Sequence, residues 1–170
     1  MIFRKATVLD TQAVTAIYEY AKKILRDSGI PQWQGPVPGK DSFLQDLALQ
    51  QAYVVEENGV VIATIQIIDH EPYYDRVENG SWKDTCALVA HHVAVSDGCR
   101  KHGVAGFMLQ NAELIAKERK KTSLRLDTHE LNHRMRHLLE KHGFKNIGVV
   151  KMPNGEPRLA YEKTFDTSTT

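Results

Sequence analysis

The segment from His91 to Leu109, HHVAVSDGCRKHGVAGFML, changes character in its middle. It begins as an apolar strand, turns through glycines and a basic cluster, and continues with the apolar spacing of a helix. Any fold of this chain must therefore place the end of a strand beside the start of a helix. Backbone N–H groups at a helix start lack intrahelical partners, and the helix dipole adds partial positive charge there. Such a junction is typical of a phosphate-binding site.

The spacing of the glycines excludes two common phosphate-binding motifs. Gly98 and Gly103 match the span of a P-loop, but Val104 and Ala105 stand where that motif needs lysine and serine or threonine. A dinucleotide-binding fingerprint ending at Gly103 would need glycine at position 100, where the chain has arginine. The pattern that remains is Arg100-x-x-Gly103-x-Ala105, directly after the strand.

Hydrophobic patterns on both sides of the junction predict one mixed α/β domain. A strand is predicted at IFRKAT, a helix from Asp10, and a second helix that Asp41 caps and that runs through Gln50. Asn58-Gly59 predicts a hairpin between two further strands. CALVAHHVAV, SLRLDT, IGVVKM and RLAYEKTF are interpreted as strands, and DHEPYYDRVENGSW as a loop. The residues predicted to share one face of the last helix are Leu131, Met135, Leu138 and Leu139.

Composition narrows the class of protein. With 170 residues, 42% of them hydrophobic, the chain fits a single domain over residues 1–165 with a frayed tail at 166–170. A net charge of +1 argues against a nucleic-acid or membrane partner. Cys86 and Cys99 form neither a metal-like pair nor a disulfide framework. No apolar run approaches a membrane span, and the first ten residues lack the apolar core of a signal peptide, so a cytoplasmic location is expected.

Two blocks of sequence resemble one family. Arg100-x-x-Gly103-x-Ala105, between a strand and a helix, is similar to the cofactor motif of the GNAT superfamily of acyl-CoA-dependent N-acetyltransferases. LDTHELNHRMRHLLEKHGF resembles the family's following strand and helix, with Asn132 at its asparagine. IPQW and DTHELNHRM further resemble a bacterial subgroup of unassigned acceptor. The resemblance covers nearly the whole chain and implies a central, mostly antiparallel twisted sheet, splayed at the cofactor site and flanked by about four helices.

The resemblance also implies how acetyl-CoA binds. Backbone amides from Lys101 to Gly106 would hold the pyrophosphate, and backbone groups of Val93 and Val95 would pair with the pantetheine arm like an added strand. Asn132 would hydrogen-bond that arm, cap its helix, or both. The expected cofactor-binding residues are Val93, Ala94, Val95, Arg100, Lys101, His102, Gly103, Val104, Ala105, Gly106 and Asn132. The alternative is an ordinary strand–turn–helix connection with a solvated basic cluster.

The catalytic groups are less well defined. The family's usual general acid, a tyrosine seven residues after the asparagine, is replaced here by Leu139. The Val95 N–H is expected to polarise the thioester carbonyl. His91 is the first candidate for the base because imidazole titrates near neutral pH, and alternation predicts that it faces away from His92. Asp127 is the second candidate; the alternatives are structural, a hydrogen-bonding role for His91 and an ion pair with Arg125 or a helix cap for Asp127.

Two further groups of residues remain open to more than one interpretation. His129, His133 and His137 recur every four residues, but the glutamate of a zinc-protease motif is absent, so no metal is expected.

Aromatic residues on the two long loops either line the acceptor pocket or pin the loops to the body of the protein. The aromatic residues expected to bind the acceptor are Trp33, Tyr74 and Trp82.

These observations predict an enzyme that transfers an acetyl group from acetyl-CoA to a primary amine of a small molecule or peptide. Direct attack in a ternary complex is expected, because Cys99 has no evident activating histidine for a covalent intermediate. The alternatives are a non-catalytic acyl-CoA-binding or sensing module and a partner-binding domain that has lost the cofactor. The closing strands would permit a homodimer.

Overall fold

A computed structural model describes residues 1–100 and 102–165, so the predictions for Lys101 and for the tail at 166–170 lie outside the described residues. The strands are β1 Ile2–Lys5, β2 Ala52–Glu57, β3 Val60–Ile68, β4 Val77–Glu78, β5 Ala87–Val95, β6 Ser123–Thr128, β7 Lys145–Lys151 and β8 Pro157–Thr164. The helices are α1 Thr11–Asp27, α2 Lys40–Ala48, α3 Val104–Glu118 and α4 His133–Lys141. The strands follow the sheet order β1-β2-β3-β5-β6-β8-β7-β4, which confirms the predicted mixed α/β class.

The residues of the chain divide into two compact units. The first unit comprises the described residues of Met1–Ile67 and His91–Asn111, and the second comprises those of Ile68–Ala90 and Ala112–Thr170. In the first unit, β2 pairs antiparallel with β1 and β3. Its core is formed where α1 and α2 pack their apolar faces against these strands, as periodic apolar residues predict. The buried residues of this core are Val14, Ile17, Tyr18, Phe43, Ala52, Val54 and Ala94.

The hairpin between β2 and β3 forms where the sequence predicts it. Asn58 has φ of 52° and Gly59 has φ of 77°, so both central residues adopt the left-handed conformation that a tight hairpin turn requires. Asparagine and glycine are the residues that adopt this conformation at least cost. The conformational preferences of Asn58 and Gly59 therefore determine the geometry of the turn between β2 and β3.

A carboxylate near the N-terminus ties β1 to the start of α1. Arg4 donates from both terminal nitrogens to Asp10, at 2.9 and 3.0 Å, and the backbone N–H of Thr7 donates to the same carboxylate at 2.7 Å. Asp10 is 5% exposed. The hydrogen bonds from Arg4, more than any other contact, lower the pKa of Asp10. The ionised carboxylate therefore stabilises this corner of the unit.

Asp10→Asn is expected to lower the free energy of unfolding by about 1–3 kcal/mol at pH 7, because it removes charge-assisted hydrogen bonds. A depressed pKa contributes stability above the unfolded value of about 4, and this contribution is lost as the pH falls through the folded value. The difference between variant and wild type should therefore shrink in acid, as measured by urea unfolding at several pH values. Asp27→Asn, which removes only an exposed pair with Lys23, is the control. Equal effects of the two substitutions would contradict this role for Asp10.

In the second unit, β6 pairs antiparallel with β8, β8 with β7, and β7 with β4. The first residues of β5 pair in parallel with β6. The sequence interpretation of 69–82 as a loop was incomplete, since this segment contains a 3-10 helix at Pro72–Asp75 and the short strand β4. A Cβ atom at Gly80 would overlap the carbonyl oxygen of Ile147, so only glycine permits the approach of this segment to β7. The strand β4 was missed because two residues are too few to show the alternation of apolar and polar side chains that marks a strand.

Two helix boundaries differ from the sequence prediction. Helix α2 is Lys40–Ala48 with Gly39 at the capping position, so the predicted cap Asp41 lies inside the first turn and the helix ends two residues before Gln50. Helix α4 begins at His133, so Leu131 lies outside it and is 46% exposed instead of sharing its buried face. None of the helices in the described part of the chain is both long and apolar enough to cross a membrane.

Candidate active site

The junction between β5 and α3 lies in the first unit and is built as the sequence predicts. After Val95, the backbone N–H of Ser96 donates to the carbonyl of Ile62 at 2.8 Å, which fixes the end of the strand. Gly98 and Gly103 have φ of 80° and 77°, in the left-handed region that glycine adopts readily. The chain thus leaves the strand and enters the helix through two glycine-dependent positions.

The start of α3 has the properties of an anion-binding end. The carbonyl of Gly103 accepts the hydrogen bond of the Phe107 N–H at 3.0 Å, so Gly103 occupies the capping position of the helix. Val104 and Met108 are buried and hold the helix in place. Among the described residues, no atom lies within 4 Å of a Cβ built at Gly103, so open space adjoins the capping residue of the helix. These residues fit the pyrophosphate that the sequence implies for this site.

The cofactor residues predicted around this helix start differ in exposure. His102 is exposed, while Arg100 and Ala105 are partly exposed and Gly106 is buried. Lys101 lies outside the described residues. The exposed positions precede the helix, and the buried ones belong to its packed face.

The strand β5 pairs with β6 over only part of its length. Ala87–Val89 are in parallel register with Ser123–Arg125, and the remaining residues of β5 lie beyond this register. Ala94 is buried in the core of the first unit, while Val93 and Val95 are partly exposed. Because alternate strand residues face opposite sides, Val93 and Val95 face away from that core.

The two adjacent histidines of β5 depart from the regular strand pattern. His92 has φ of 55°, a left-handed conformation that interrupts the alternation of side chains. The rings of His91 and His92 lie 6.0 Å apart between centroids, tilted by 37°. The prediction that they face opposite sides of the sheet is therefore wrong, because the backbone at His92 is not extended.

The imidazole of His92 is enclosed by aromatic rings. Tyr18 contacts it edge-on at 6.2 Å and Trp33 at 6.0 Å. Burial, followed by the charges of His91 and Lys22, lowers the pKa of His92 to about 3. His92 is therefore neutral near physiological pH. Its buried Nδ1 atom has no hydrogen-bond partner within the described ranges 1–100 and 102–165.

A buried carboxylate that the sequence analysis missed lies in the same unit. Asp46 on α2 is 5% exposed, and Gln66 on β3 donates to its Oδ1 atom at 2.7 Å. Burial raises the pKa of Asp46, while the Gln66 hydrogen bond and the charge of His91 act in the opposite direction. The position of Asp46 three residues after buried Phe43 was the available signal, because it places an acidic side chain on the apolar face of a helix.

Asp127 is the centre of a separate cluster in the second unit. The hydroxyls of Tyr73 and Tyr74 donate to its Oδ2 atom at 2.9 and 2.6 Å. Burial, then the charge of Asp127, raises the pKa of both phenols. Arg125, the ion-pair partner considered from the sequence, instead donates to Glu162 at 3.3 Å.

The aromatic residues of the second unit favour the structural alternative. Tyr74 is 1% exposed, and its carbonyl accepts a hydrogen bond from the Trp82 indole at 2.7 Å. The guanidinium of Arg125 lies 4.3 Å above the Trp82 ring. Tyr74 and Trp82 therefore pin their loop to the body of this unit, which corrects the expectation that buried Tyr74 lines a pocket.

Helix α4 carries three of the positions considered from the sequence. The side chain of Asn132 accepts a hydrogen bond from the Met135 N–H at 3.2 Å and so caps the helix. Leu139 is fully buried. His129 precedes the helix, so the three spaced histidines do not share one helical face. Within residues 1–100 and 102–165, no three histidine, cysteine or acidic side chains are grouped so that they could hold a metal ion.

Comparison with known proteins defines the class to which this fold and junction belong. The family model of the acetyltransferase (GNAT) family matches residues 14–144. The chain is 30% identical to a GNAT-family acetyltransferase from Streptococcus agalactiae, over 97% of this chain and 95% of that one, with a TM-score of 0.88. The chain therefore belongs to the GNAT acetyltransferase family.

More distant solved structures share the fold. A ribosomal-protein-alanine N-acetyltransferase from Brucella melitensis is 20% identical over 97% of this chain and 100% of that one, with a TM-score of 0.72. The Salmonella typhimurium protein yncA, determined with its cofactor acetyl-CoA, is 20% identical over 98% and 94% of the two chains, with a TM-score of 0.70. No curated protein matches the sequence significantly.

Proposed function

We propose that this protein transfers the acetyl group of acetyl-CoA to a primary amine of a small molecule or peptide, by direct attack within a ternary complex. The observation that carries the proposal is the start of α3, where Gly103 caps a helix held by its buried face and adjoins open space. Membership of the GNAT family and the acetyl-CoA bound to the Salmonella relative support the choice of acyl donor. The two free cysteines are consistent with a reducing compartment such as the cytoplasm.

The residues of the first unit have distinct roles in this proposal. The N–H groups at the start of α3, with Arg100 and His102 before it in the sequence, bind the pyrophosphate. For Lys101, which lies outside the described residues, the same role is proposed from the sequence alone. The backbone of Val93 and Val95, beyond the β6 register, pairs with the pantetheine arm. Ala94 anchors this part of the strand in the core. Asn132 belongs to the second unit, where its side chain caps α4; its role in cofactor binding is proposed from the family resemblance alone.

The reaction needs a base, a polarised carbonyl and a proton for the leaving thiolate. Bound acetyl-CoA supplies the acetyl thioester. The Val95 N–H polarises its carbonyl, and His91 takes the proton of the attacking amine. Asp127 is the second candidate for the base, although both of its tyrosine partners already donate to one carboxylate oxygen. Since Leu139 carries no proton to donate, water protonates the thiolate.

Trp33 is the aromatic residue best placed to contact the acceptor. It is partly exposed, contacts His92, and has φ of 63°. A bulky residue in this conformation is strained, and such strain concentrates at binding and catalytic sites. Trp33 therefore combines a strained backbone with a position beside His92, the residue that follows the proposed base in the sequence.

Trp33→Leu is expected to raise the acceptor KM about tenfold with little change in the KM for acetyl-CoA, because an aromatic wall is lost on the acceptor side only. Steady-state kinetics with both substrates varied measure the two constants. Trp82→Leu is the matched control, and it should lower the melting temperature because the Tyr74 and Arg125 contacts are lost. An equal rise of both KM values in Trp33→Leu would assign Trp33 to the core.

The release of free CoA from acetyl-CoA, measured with a panel of amines, tests the proposed activity. The panel contains a polyamine, amino acids, an aminoglycoside and a peptide with a free N-terminus, and a reaction without amine corrects for hydrolysis. Amine-dependent release supports the proposal. Calorimetric binding of acetyl-CoA without turnover of any amine would support a non-catalytic sensing module, which the buried Leu139 favours as the second candidate.

A further inference from the structure

We propose that the acceptor amine also carries a carboxylate, and that Lys22 on α1 binds this carboxylate. The proposal names the substrate class of the function proposed above and rests on it. It concerns the Lys22 site, to which α1, the loop after it and β5 contribute in the first unit. The residues of the Lys22 site are Tyr18, Lys22, Trp33, Gly35 and His92.

The first argument is that the Lys22 ammonium is buried without an opposite charge. Lys22 is 8% exposed, which is rare for a lysine unless an acid pairs with it. Among residues 1–100 and 102–165, no carboxylate forms an ion pair with it. Removing a charged group from water is costly unless a charged partner compensates it. A ligand that brings a negative charge would provide this compensation.

The second argument is that the hydrogen bonds of Lys22 leave donors for a ligand. An ammonium group has three N–H donors. One of them donates to the carbonyl of Gly35 at 2.9 Å, and no other acceptor in the described part of the chain contacts Nζ. Apart from its chain neighbours, no described atom lies within 4 Å of a Cβ built at Gly35, so open space adjoins this residue. Donors that remain beside open space suit the charge-assisted hydrogen bonds of a carboxylate.

The structural alternative is that Lys22 only ties the loop to α1. Gln34 already ties the loop with a neutral side chain, because its amide donates to the carbonyl of Lys22 at 3.2 Å and to that of Gln32 at 2.9 Å. A neutral amide is far less costly to bury than an ammonium group. The attachment of the loop therefore does not require a charge at position 22, and the buried charge points to a ligand.

The third argument is that Lys22 lies in one cluster with the aromatic residue proposed to contact the acceptor. Tyr18 and Lys22 are four residues apart and so lie on the same face of α1. The ring of His92 contacts Tyr18 at 6.2 Å and Trp33 at 6.0 Å between centroids. Gly35, which accepts the hydrogen bond of the ammonium group, follows Trp33 by two residues. The helix and the loop therefore both connect the positive charge to the rings around His92.

His92 shows two further effects of this arrangement. Burial, then the charges of His91 and Lys22, lowers the pKa of His92, which agrees with an ammonium group near its ring. Its buried Nδ1 atom has no hydrogen-bond partner within residues 1–100 and 102–165. Buried polar atoms without a partner are rare in folded proteins and call for a water molecule, an ion or a ligand. An acceptor bound at Lys22 would bring polar groups to this ring.

The charge of the Lys22 site favours a carboxylate over other groups. A single ammonium group matches the single negative charge of a carboxylate, whereas a phosphate ester carries about −1.5 to −2 charges at pH 7. A polyamine or an aminoglycoside would bring more positive charge to a site that already holds a buried ammonium group, and like charges in contact repel each other strongly. The substrate class is therefore an amino acid or a similar molecule with both an amine and a carboxylate.

The test compares leucine, phenylalanine, β-alanine and γ-aminobutyrate, each with its own primary amide, as acceptors. Amidation removes the negative charge and keeps the amine and the shape. The wild-type enzyme should acetylate at least one of these acids with a kcat/KM about tenfold or more above that of its amide, because a site built for a polar partner rejects an analogue that lacks it. Equal kcat/KM values within every pair, or a polyamine as the best acceptor, would overturn the proposal.

Lys22→Met tests whether this preference comes from Lys22. The substitution removes the charge and keeps an unbranched side chain, and the ratio of acid to amide kcat/KM should fall from about tenfold to near one. Lys23→Met is the matched control, because it removes the same charge from an exposed position of α1 and should keep the wild-type ratio. A wild-type ratio in folded Lys22→Met would overturn the proposal. If this variant fails to fold, the wild-type comparison of acid with amide still decides.

Binding separates this proposal from the proposed activity. Isothermal titration calorimetry of the CoA-loaded protein with the N-acetyl derivative of each acid and of each amide requires no turnover. About tenfold tighter binding of an acid, lost in Lys22→Met, would support carboxylate binding at Lys22 even if no amine accelerates the release of CoA, a result that would overturn the proposed function alone. Amine-dependent release of CoA, with no difference between acid and amide in rate or in binding, would support the activity and overturn the role of Lys22.

Discussion

Gly103→Asp is expected to raise the dissociation constant of acetyl-CoA by about 100-fold or more while the protein remains folded. The new carboxylate would lie at the start of α3, in the open space that we assign to the pyrophosphate. Two like unit charges about 4 Å apart near a protein surface repel each other by about 4 kcal/mol, which exceeds the roughly 2.7 kcal/mol of a 100-fold change. Isothermal titration calorimetry with acetyl-CoA measures the effect.

Two control variants separate charge from backbone effects. Gly103→Asn has nearly the same shape and also tolerates a left-handed backbone, so it should bind acetyl-CoA much more tightly than Gly103→Asp. Gly59→Asp adds the same charge at φ of 77° in the β2–β3 hairpin, again with open space around the Cβ position, and should bind like the wild type. Wild-type affinity in Gly103→Asp would show that acetyl-CoA binds elsewhere.

His91→Gln is expected to lower kcat by about 100- to 10,000-fold, the usual contribution of a general base, with little change in the KM for acetyl-CoA. Glutamine keeps a polar side chain of similar reach but does not accept a proton near neutral pH. The acid limb of the rate profile should also disappear if it reports His91. Initial rates from pH 5.5 to 9 provide both measurements.

The control for this substitution is His70→Gln, which changes an exposed histidine paired with Asp75 in the second unit. It should leave kcat and the pH profile unchanged. A His91→Gln variant with the wild-type rate and the wild-type acid limb would assign His91 to a structural role. Asp127 or a water molecule would then be the next candidate for the base.

The junction at the start of α3 could be predicted because its chemistry is local. An apolar strand, two glycines at left-handed positions and a helical apolar pattern lie within about twenty residues, and each follows from the preferences of the residues themselves. The same is true of the hairpin at Asn58-Gly59. Local motifs such as the β5–α3 junction and the Asn58-Gly59 turn predict both the type of secondary structure and where it begins or ends.

The contacts of Asp46 and of Asp127 could not be predicted in the same way, because the partners of each carboxylate are distant in sequence. Asp46 and Gln66 are twenty residues apart, and the two tyrosines that bind Asp127 precede it by more than fifty. The left-handed conformation of His92 lies inside β5, where the sequence carries no turn motif that would predict it. Alternation along β5 therefore gave a wrong orientation for His91 and His92.

Initial-rate kinetics with acetyl-CoA and an accepted amine both varied test the central claim most directly. Direct attack requires both substrates to be bound together, so double-reciprocal lines at several fixed amine concentrations should intersect. Intact-protein mass spectrometry after incubation with acetyl-CoA alone should show no stoichiometric, kinetically competent acetyl-enzyme. Parallel lines, together with an acetyl-enzyme that forms and decays at the rate of turnover, would contradict the proposed mechanism and point to a covalent intermediate.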